Sequence, residues 1–354
     1  MDQNANKKLM RAFLILNAIF LTIGRCGGPM VMRLYYIHGG NRVWLSSWLE
    51  TAGWPIIFIP LLITYLRRRH EEGTDTKLYF MGGPVFIAAA IIGILTGVDD
   101  YLYAYGVARL PLSTVSLVIA SQLAFTAVFA FLLVKQRFTA YSVNAIALLT
   151  VGAGVLALHT SSDRPSGESK KEYYMGFIMM VAAAALYGFT LPLVELTYKK
   201  AKQAITYTVV LEIQLVMCFF ATLVCTIGMV IDKDFKAIPR EAREFGLGER
   251  TYYVVLVCSG IFWQCFYLGA IGVVFAGSSL LSAIIMAVTL PLTEILAVII
   301  YKDKFTAEKG VSLVLSLWGF FSYFYGEREN NKAESETQTP ETEMPLSVSV
   351  ASPS

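Results

Sequence analysis

Charge is what this sequence most lacks. Asp, Glu, Lys and Arg supply only 16% of its 354 residues, against about 25% in an ordinary soluble domain. So few charges exclude a soluble globular enzyme as the starting assumption. Cysteines number only five, and Cys26, Cys218, Cys225, Cys258 and Cys265 all fall inside apolar segments. Their spacings match neither a zinc site nor a disulfide framework, so they read as small apolar packing groups. The three histidines (His38, His70, His159) sit in or beside expected loops. There is no Gly-x-Ser-x-Gly, no His-Glu-x-x-His and no phosphate loop. No catalytic residue, metal ligand or cofactor is therefore expected. The net charge of +3 is dispersed over loops and forms no basic stripe, which argues against a nucleic-acid partner.

Long uncharged apolar runs are what the sequence has instead. A crossing of the bilayer needs about 20 predominantly apolar residues. Residues 78–98, 110–134, 138–158 and 173–194 each fit one crossing, and 251–293 is uncharged over a length that requires two, with Gly277-Ser278-Ser279 as the turn. Spans at 12–35, 43–66, 206–230 and 277–301 carry Arg25, Glu50, Glu212 and Glu294, and a short one follows at 307–325. The expectation is an all-α polytopic membrane protein with ten transmembrane helices. Its amino-terminal run has no small-residue cleavage site and reads as a first helix, not a signal peptide. From Glu327 the chain turns to Ser, Thr, Glu and Pro, a composition that predicts a disordered tail over 327–354. In the first half, basic residues favour the amino-terminal side: Lys7, Lys8, Arg11, Arg67, Arg68, Arg69, Lys77, Lys135 and Arg137 against Arg33, Arg42 and Arg109. That bias places both termini in the cytosol. The second half, through the 231–250 loop, leans the other way, and the early helices are given precedence.

An internal repeat organises the spans. KQRFTA at 135–140 recurs as KDKFTA at 302–307; Tyr101-Leu102 and Gly106-Val107 recur as Tyr267-Leu268 and Gly272-Val273; Leu49-Glu50 recurs as Leu211-Glu212. Helices 1–5 (residues 1–160) and 6–10 (173–326) are thus expected to be two copies of one unit, joined by an extracellular linker at 161–172. An odd number of helices per copy forces opposite insertion, the inverted-repeat plan of secondary transporters, with the solute between the halves.

Ionisable groups within spans cost roughly 2.5–3.5 kcal/mol each on insertion scales, so each is a functional candidate. Glu50 and Glu212, at matching places in the repeat, are the proton-coupling candidates, since a buried carboxyl can load and release a proton as the pocket changes side. Asp99-Asp100 is either a helix end pairing with Arg109 or part of the pocket, and Arg25 a neutralising partner. Glu195 reads as an interfacial residue beside Lys199 and Lys200. Gln122, Gln264, Gln214 and Asn17 each present a donor and an acceptor inside the membrane; interhelical bonding suits the last two. Gln264 stands between Trp263 and Tyr267, with Tyr187, Tyr101 and Trp48 as further rings on which a flat heterocycle can stack. Pro192 and Pro291 free the carbonyls of Gly188 and Ala287. A phosphorylated cargo is disfavoured, because Arg25 is the only mid-membrane cation.

Read together, WLSSWLETAGWP (44–55), DDYLYAYG (99–106), LPLST (110–114), SQLAF (121–125), LPLVEL (191–196) and WGFFSYFYGE (318–327) closely resemble the plant purine permeases of the drug/metabolite transporter superfamily. The resemblance covers residues 9–327. It implies a plasma-membrane importer, driven by the proton gradient without a cofactor, for adenine, adenine-type cytokinins such as trans-zeatin, and related heterocycles. It also implies a cavity that favours Gln122, Tyr187, Gln264 and Tyr267 as ligands and weakens Glu50 and Glu212 as direct ones; Tyr101, Asp100 and Trp48 complete the substrate-binding candidates read from the residues themselves. The alternatives are a same-fold exporter or importer of other metabolites, or a cytokinin-binding membrane receptor.

Overall fold

The computed structural model describes residues 2–73, 77–110, 112–158, 170–302 and 306–337. Every regular element among them is helical: α1 (Asp2–Ile37), α2 (Val43–Thr51), a 3-10 turn (Trp54–Ile57), α3 (Phe58–Glu72), α4 (Gly83–Arg109), α5 (Leu112–Val134), α6 (Ala140–Leu158), α7 (Lys170–Lys200), α8 (Tyr207–Ile231), α9 (Asp234–Glu244), α10 (Glu249–Ala276), α11 (Ser279–Tyr301) and α12 (Ala307–Thr337). Seven stretches are long and apolar enough to cross a bilayer; α5 and α6 add the shorter apolar runs Ser121–Val134 and Ala140–Gly152. Large apolar side chains stay exposed along their outer faces, such as Ile15, Ile19 and Ile23 on α1 and Ile59, Leu62 and Leu66 on α3. Faces of that size are stable only in lipid, so this is an integral membrane protein.

Local chemistry sets the breaks. Pro55 has no N–H to give, so the 43–66 span is divided into α2, the 3-10 turn and α3. Thr206 and Ser278 cap α8 and α11, accepting hydrogen bonds from the Val209 and Leu281 amides, as N-cap hydroxyls do. The 277–279 turn falls where the sequence predicts it. At the other boundary the structure differs: α12 continues to Thr337, past Glu327. The 327–337 segment holds several good helix formers and extends an existing helix, which needs no new nucleus. The rest of that tail, most of the 161–172 linker and the Glu294 side chain lie outside the described residues.

The tightest crossings are made of glycine. A Cβ on Gly24 would lie 2.2 Å from the Phe266 amide nitrogen, and one on Gly269 2.2 Å from that of Leu21, so α1 and α10 touch backbone to backbone. Gly93 and Gly97 let α4 approach Met217 and Ala221 of α8 in the same way. The pairings include α1 with α10, α4 with α7, α6 with α12, α4 with α8, α5 with α7, α5 with α6, α1 with α11, α2 with α4, α8 and α10, α11 with α12, α5 with α11, and α8 with α10. Exchanging α1 with α7, α2 with α8, α4 with α10, α5 with α11 and α6 with α12 returns the same set.

Candidate functional site

A cavity of about 540 Å³ opens at the end of the bundle where α1 and α4 finish and α5 begins. Its walls include Met32, Arg33 and Tyr36 of α1, Ser46 of α2, Val107 of α4 and Val115 of α5. At its floor lie Arg25, Glu50, Tyr103, Ile119 and Trp263, which also border a smaller recess of about 40 Å³. Asp99, Gln122, Met180, Tyr187, Phe266 and Tyr267 complete the recess. The volume suits a small organic solute, and the mixture of apolar walls with a few polar groups is that of a ligand site.

Helical phase decides which residues reach it. Asp99 and Tyr103, at i and i+4, share the inward face of α4, whereas Tyr101 turns outward to stack on Trp44 with ring centroids 3.9 Å apart. On α10, Trp263, Phe266 and Tyr267 at i, i+3 and i+4 face the cavity. Gln264, a further 100° round, does not border it: its Cβ lies beside Gly53, and both its amide atoms are buried without a partner. Trp48 is likewise turned away, its Nε1 donating to Thr226 Oγ1 at 3.0 Å. Gln122, Tyr187 and Tyr267 reach the recess. Asp100 stands behind it and accepts a 2.7 Å hydrogen bond from the Tyr267 hydroxyl. The Tyr187 hydroxyl lies 3.7 Å from Met286 Sδ.

The two proton-coupling candidates separate. Glu50 is buried at the cavity floor, within electrostatic range of Asp99, Asp100 and Arg25. Among the described residues, the Arg25 guanidinium makes no ion pair within 4 Å with any of these carboxyls. Arg25 instead sits over the Phe266 ring, 5.9 Å from its centroid. Glu212 is at the opposite end of the bundle, accepting hydrogen bonds from the Phe80 and Met81 amides at 3.1 and 2.8 Å. That is an anchor for the segment leading into α4. Glu212→Ala is expected to leave those amides unpaired and to cost about 1–3 kcal/mol, read as a lower melting temperature.

Glu195 also has a partner the sequence did not suggest. Its carboxylate binds the Lys199 ammonium at 2.7 Å and the Ser279 amide at 2.7 Å, which joins the end of α7 to the start of α11. It sits, with Glu212, at the end away from the cavity mouth. At the mouth, Glu241 of α9 accepts from the Tyr35 and Tyr252 hydroxyls, and Arg42 lies 3.4 Å from Asp234. Gln214 donates to Cys218 Sγ at 2.9 Å and Asn17 to the Phe13 carbonyl at 2.8 Å. All five cysteines are unpaired thiols, and no group of three metal-ligating side chains occurs among the described residues.

An all-helical membrane bundle enclosing a solute-sized, polar-floored cavity is the build of a solute carrier. A family described by purine nucleobase transmembrane transport matches residues 12–333. Purine permease 3 of Arabidopsis thaliana is 54% identical, over 98% of this chain and 99% of its own length, and purine permease 2 of the same plant is 52% identical over 97% and 100%. The chain belongs to the purine permease family, a family of membrane transporters. A solved crystal structure with 12% identity superposes at a TM-score of 0.62, covering 89% of this chain and 98% of the other; it shares the fold.

Proposed function

We propose that this protein imports purine bases such as adenine, and adenine-type cytokinins such as trans-zeatin, by proton-coupled alternating access across the plasma membrane. It needs no cofactor. Ten transmembrane helices, with α2, the 3-10 turn and α3 counted as one, form two inverted halves at 1–160 and 173–326, and both termini are cytosolic. The two-fold pattern of helix pairings supports the halves. So do Lys135 and Lys302, which hold the same left-handed conformation directly after α5 and α11 (φ 53° and 56°), an arrangement rare outside glycine.

The observation that carries the transport reading is the cavity floor, where aromatic rings surround an excess of acid over base. Tyr103 and Trp263, which border the large cavity, offer rings to a planar solute, worth roughly 1–3 kcal/mol per stacked base. Gln122 adds a donor and an acceptor. Charge balance among Glu50, Asp99, Asp100 and Arg25 is met by bound protons, and Glu50, at the mouth of the recess, is the group that exchanges them. One charge falling through 100 mV releases about 2.3 kcal/mol, enough for more than tenfold accumulation of a neutral solute.

Proteoliposomes with an imposed pH gradient test this directly. Labelled adenine and labelled trans-zeatin should accumulate only when the outside is acidic, and Glu50→Gln should lose gradient-driven accumulation while keeping adenine–adenine exchange. Binding without accumulation would favour a receptor. Uptake by Glu50→Gln that still follows the gradient would remove Glu50 from the coupling step.

A further inference from the structure

Three buried polar atoms on residues around the recess have no partner within the protein: Arg25 Nε, Trp263 Nε1 and Asp99 Oδ1. Their residues are 7%, 3% and 5% exposed, and all three border the recess. A buried donor or acceptor left unsatisfied is costly, and such groups persist where a ligand completes them. The set offers two donors and one acceptor, and the acceptor belongs to a carboxyl.

Size divides the roles. One water needs about 10–15 Å³ of such space, so the 40 Å³ recess admits a substituent and excludes a bicyclic ring, which the 540 Å³ cavity accommodates. Arg25 and Trp263 border both spaces, whereas Asp99 borders the recess alone. A ring seated in the cavity therefore meets Trp263 and Arg25 along its edge, and only a group projecting from the ring meets Asp99.

We propose that Asp99 is the specificity residue of the site, accepting a hydrogen bond from an exocyclic amino group that a purine ring extends into the recess, while Trp263 Nε1 donates to a ring nitrogen. This assignment rests on the purine reading above and names the part of the purine that is read. An oxo substituent would set one acceptor against another, and a doubly alkylated amine has no N–H to give. Sites built to hydrogen-bond a ligand group reject analogues that lack it far more strongly than apolar pockets reject a missing methylene.

Equilibrium binding of labelled adenine to the purified full-length protein, competed by unlabelled heterocycles, tests the assignment without requiring transport. Wild type should prefer adenine over unsubstituted purine by roughly tenfold, the value of one hydrogen bond to a buried acceptor. Hypoxanthine and N6,N6-dimethyladenine should compete no better than purine. Asp99→Ala should bring adenine and purine to within about twofold of each other while leaving purine affinity within a few-fold of wild type, because purine does not use the lost acceptor. Asp99→Asn, which keeps size and an acceptor but not the charge, should retain part of the preference and serves if the alanine variant does not fold. Trp263→Phe should weaken adenine but not one of its 1-, 3- or 7-deaza analogues. An unchanged adenine preference in both Asp99 variants overturns the assignment, as does a preference lost only in Gln122→Ala. Wild-type protein that binds neither adenine nor purine overturns the purine reading itself.

Discussion

Gly269→Leu is expected to yield no folded protein, and Gly269→Ala to do most of that damage. A Cβ at this position would stand 2.2 Å from the Leu21 nitrogen and 2.7 Å from the Asn17 carbonyl oxygen. Both are backbone atoms of α1, and no rotamer can move them aside. Overpacking against side chains costs typically about 1–3 kcal/mol; against backbone, relief requires α1 and α10 to part along the most extensive helix contact of the bundle. That contact also sets Arg25 against Phe266 and closes one wall of the cavity. The check is a monodisperse peak in detergent gel filtration together with a melting curve. Gly83→Ala and Gly154→Ala, whose added methyl groups meet nothing within 4 Å, should behave as wild type. A Gly269→Leu protein that elutes and melts normally would show that α1 and α10 do not cross this closely.

Arg25→Met is the second large effect. The guanidinium is within electrostatic range of Glu50, which in turn is within range of Asp99 and Asp100, and it also lies over the Phe266 ring. Removing one member of a buried charge set costs about 3–5 kcal/mol; without a direct ion pair here, the lower end of that range is expected. Methionine fills a similar volume, so packing loss is small. The melting temperature should fall markedly. Adenine binding should fall as well, and Arg25→Lys should recover stability better than binding, since an ammonium supplies charge without the planar fork. An Arg25→Met protein that melts with the wild type would show that Arg25 supplies no needed charge.

Much of the architecture was legible because a bilayer imposes a one-dimensional constraint. Helix positions, the 277–279 turn and the paired lysines after α5 and α11 follow from hydropathy and repetition alone. The site was less legible because it depends on rotational phase. Gln264 and Trp263 are neighbours in sequence, yet only Trp263 borders the cavity. Tyr101 matches Tyr267 in the repeat, but the first stacks on Trp44 while the second bonds Asp100. The i, i+4 spacing of Asp99 and Tyr103 was the available signal for the inner face of α4. Glu50 and Glu212 match in sequence, yet one lies at the cavity floor and the other binds the Phe80 and Met81 amides, because the two ends of the bundle are built differently.

The Glu195 bridge between α7 and α11 gives that inequality a direction. Proline 192 precedes it by three residues, as Pro29 precedes Met32 in α1, so at the corresponding place near the cavity mouth a thioether stands where the carboxylate would be. Opening the bundle at the Glu195 end would first have to part Glu195 from the Ser279 amide, whereas the cavity end stands open as built.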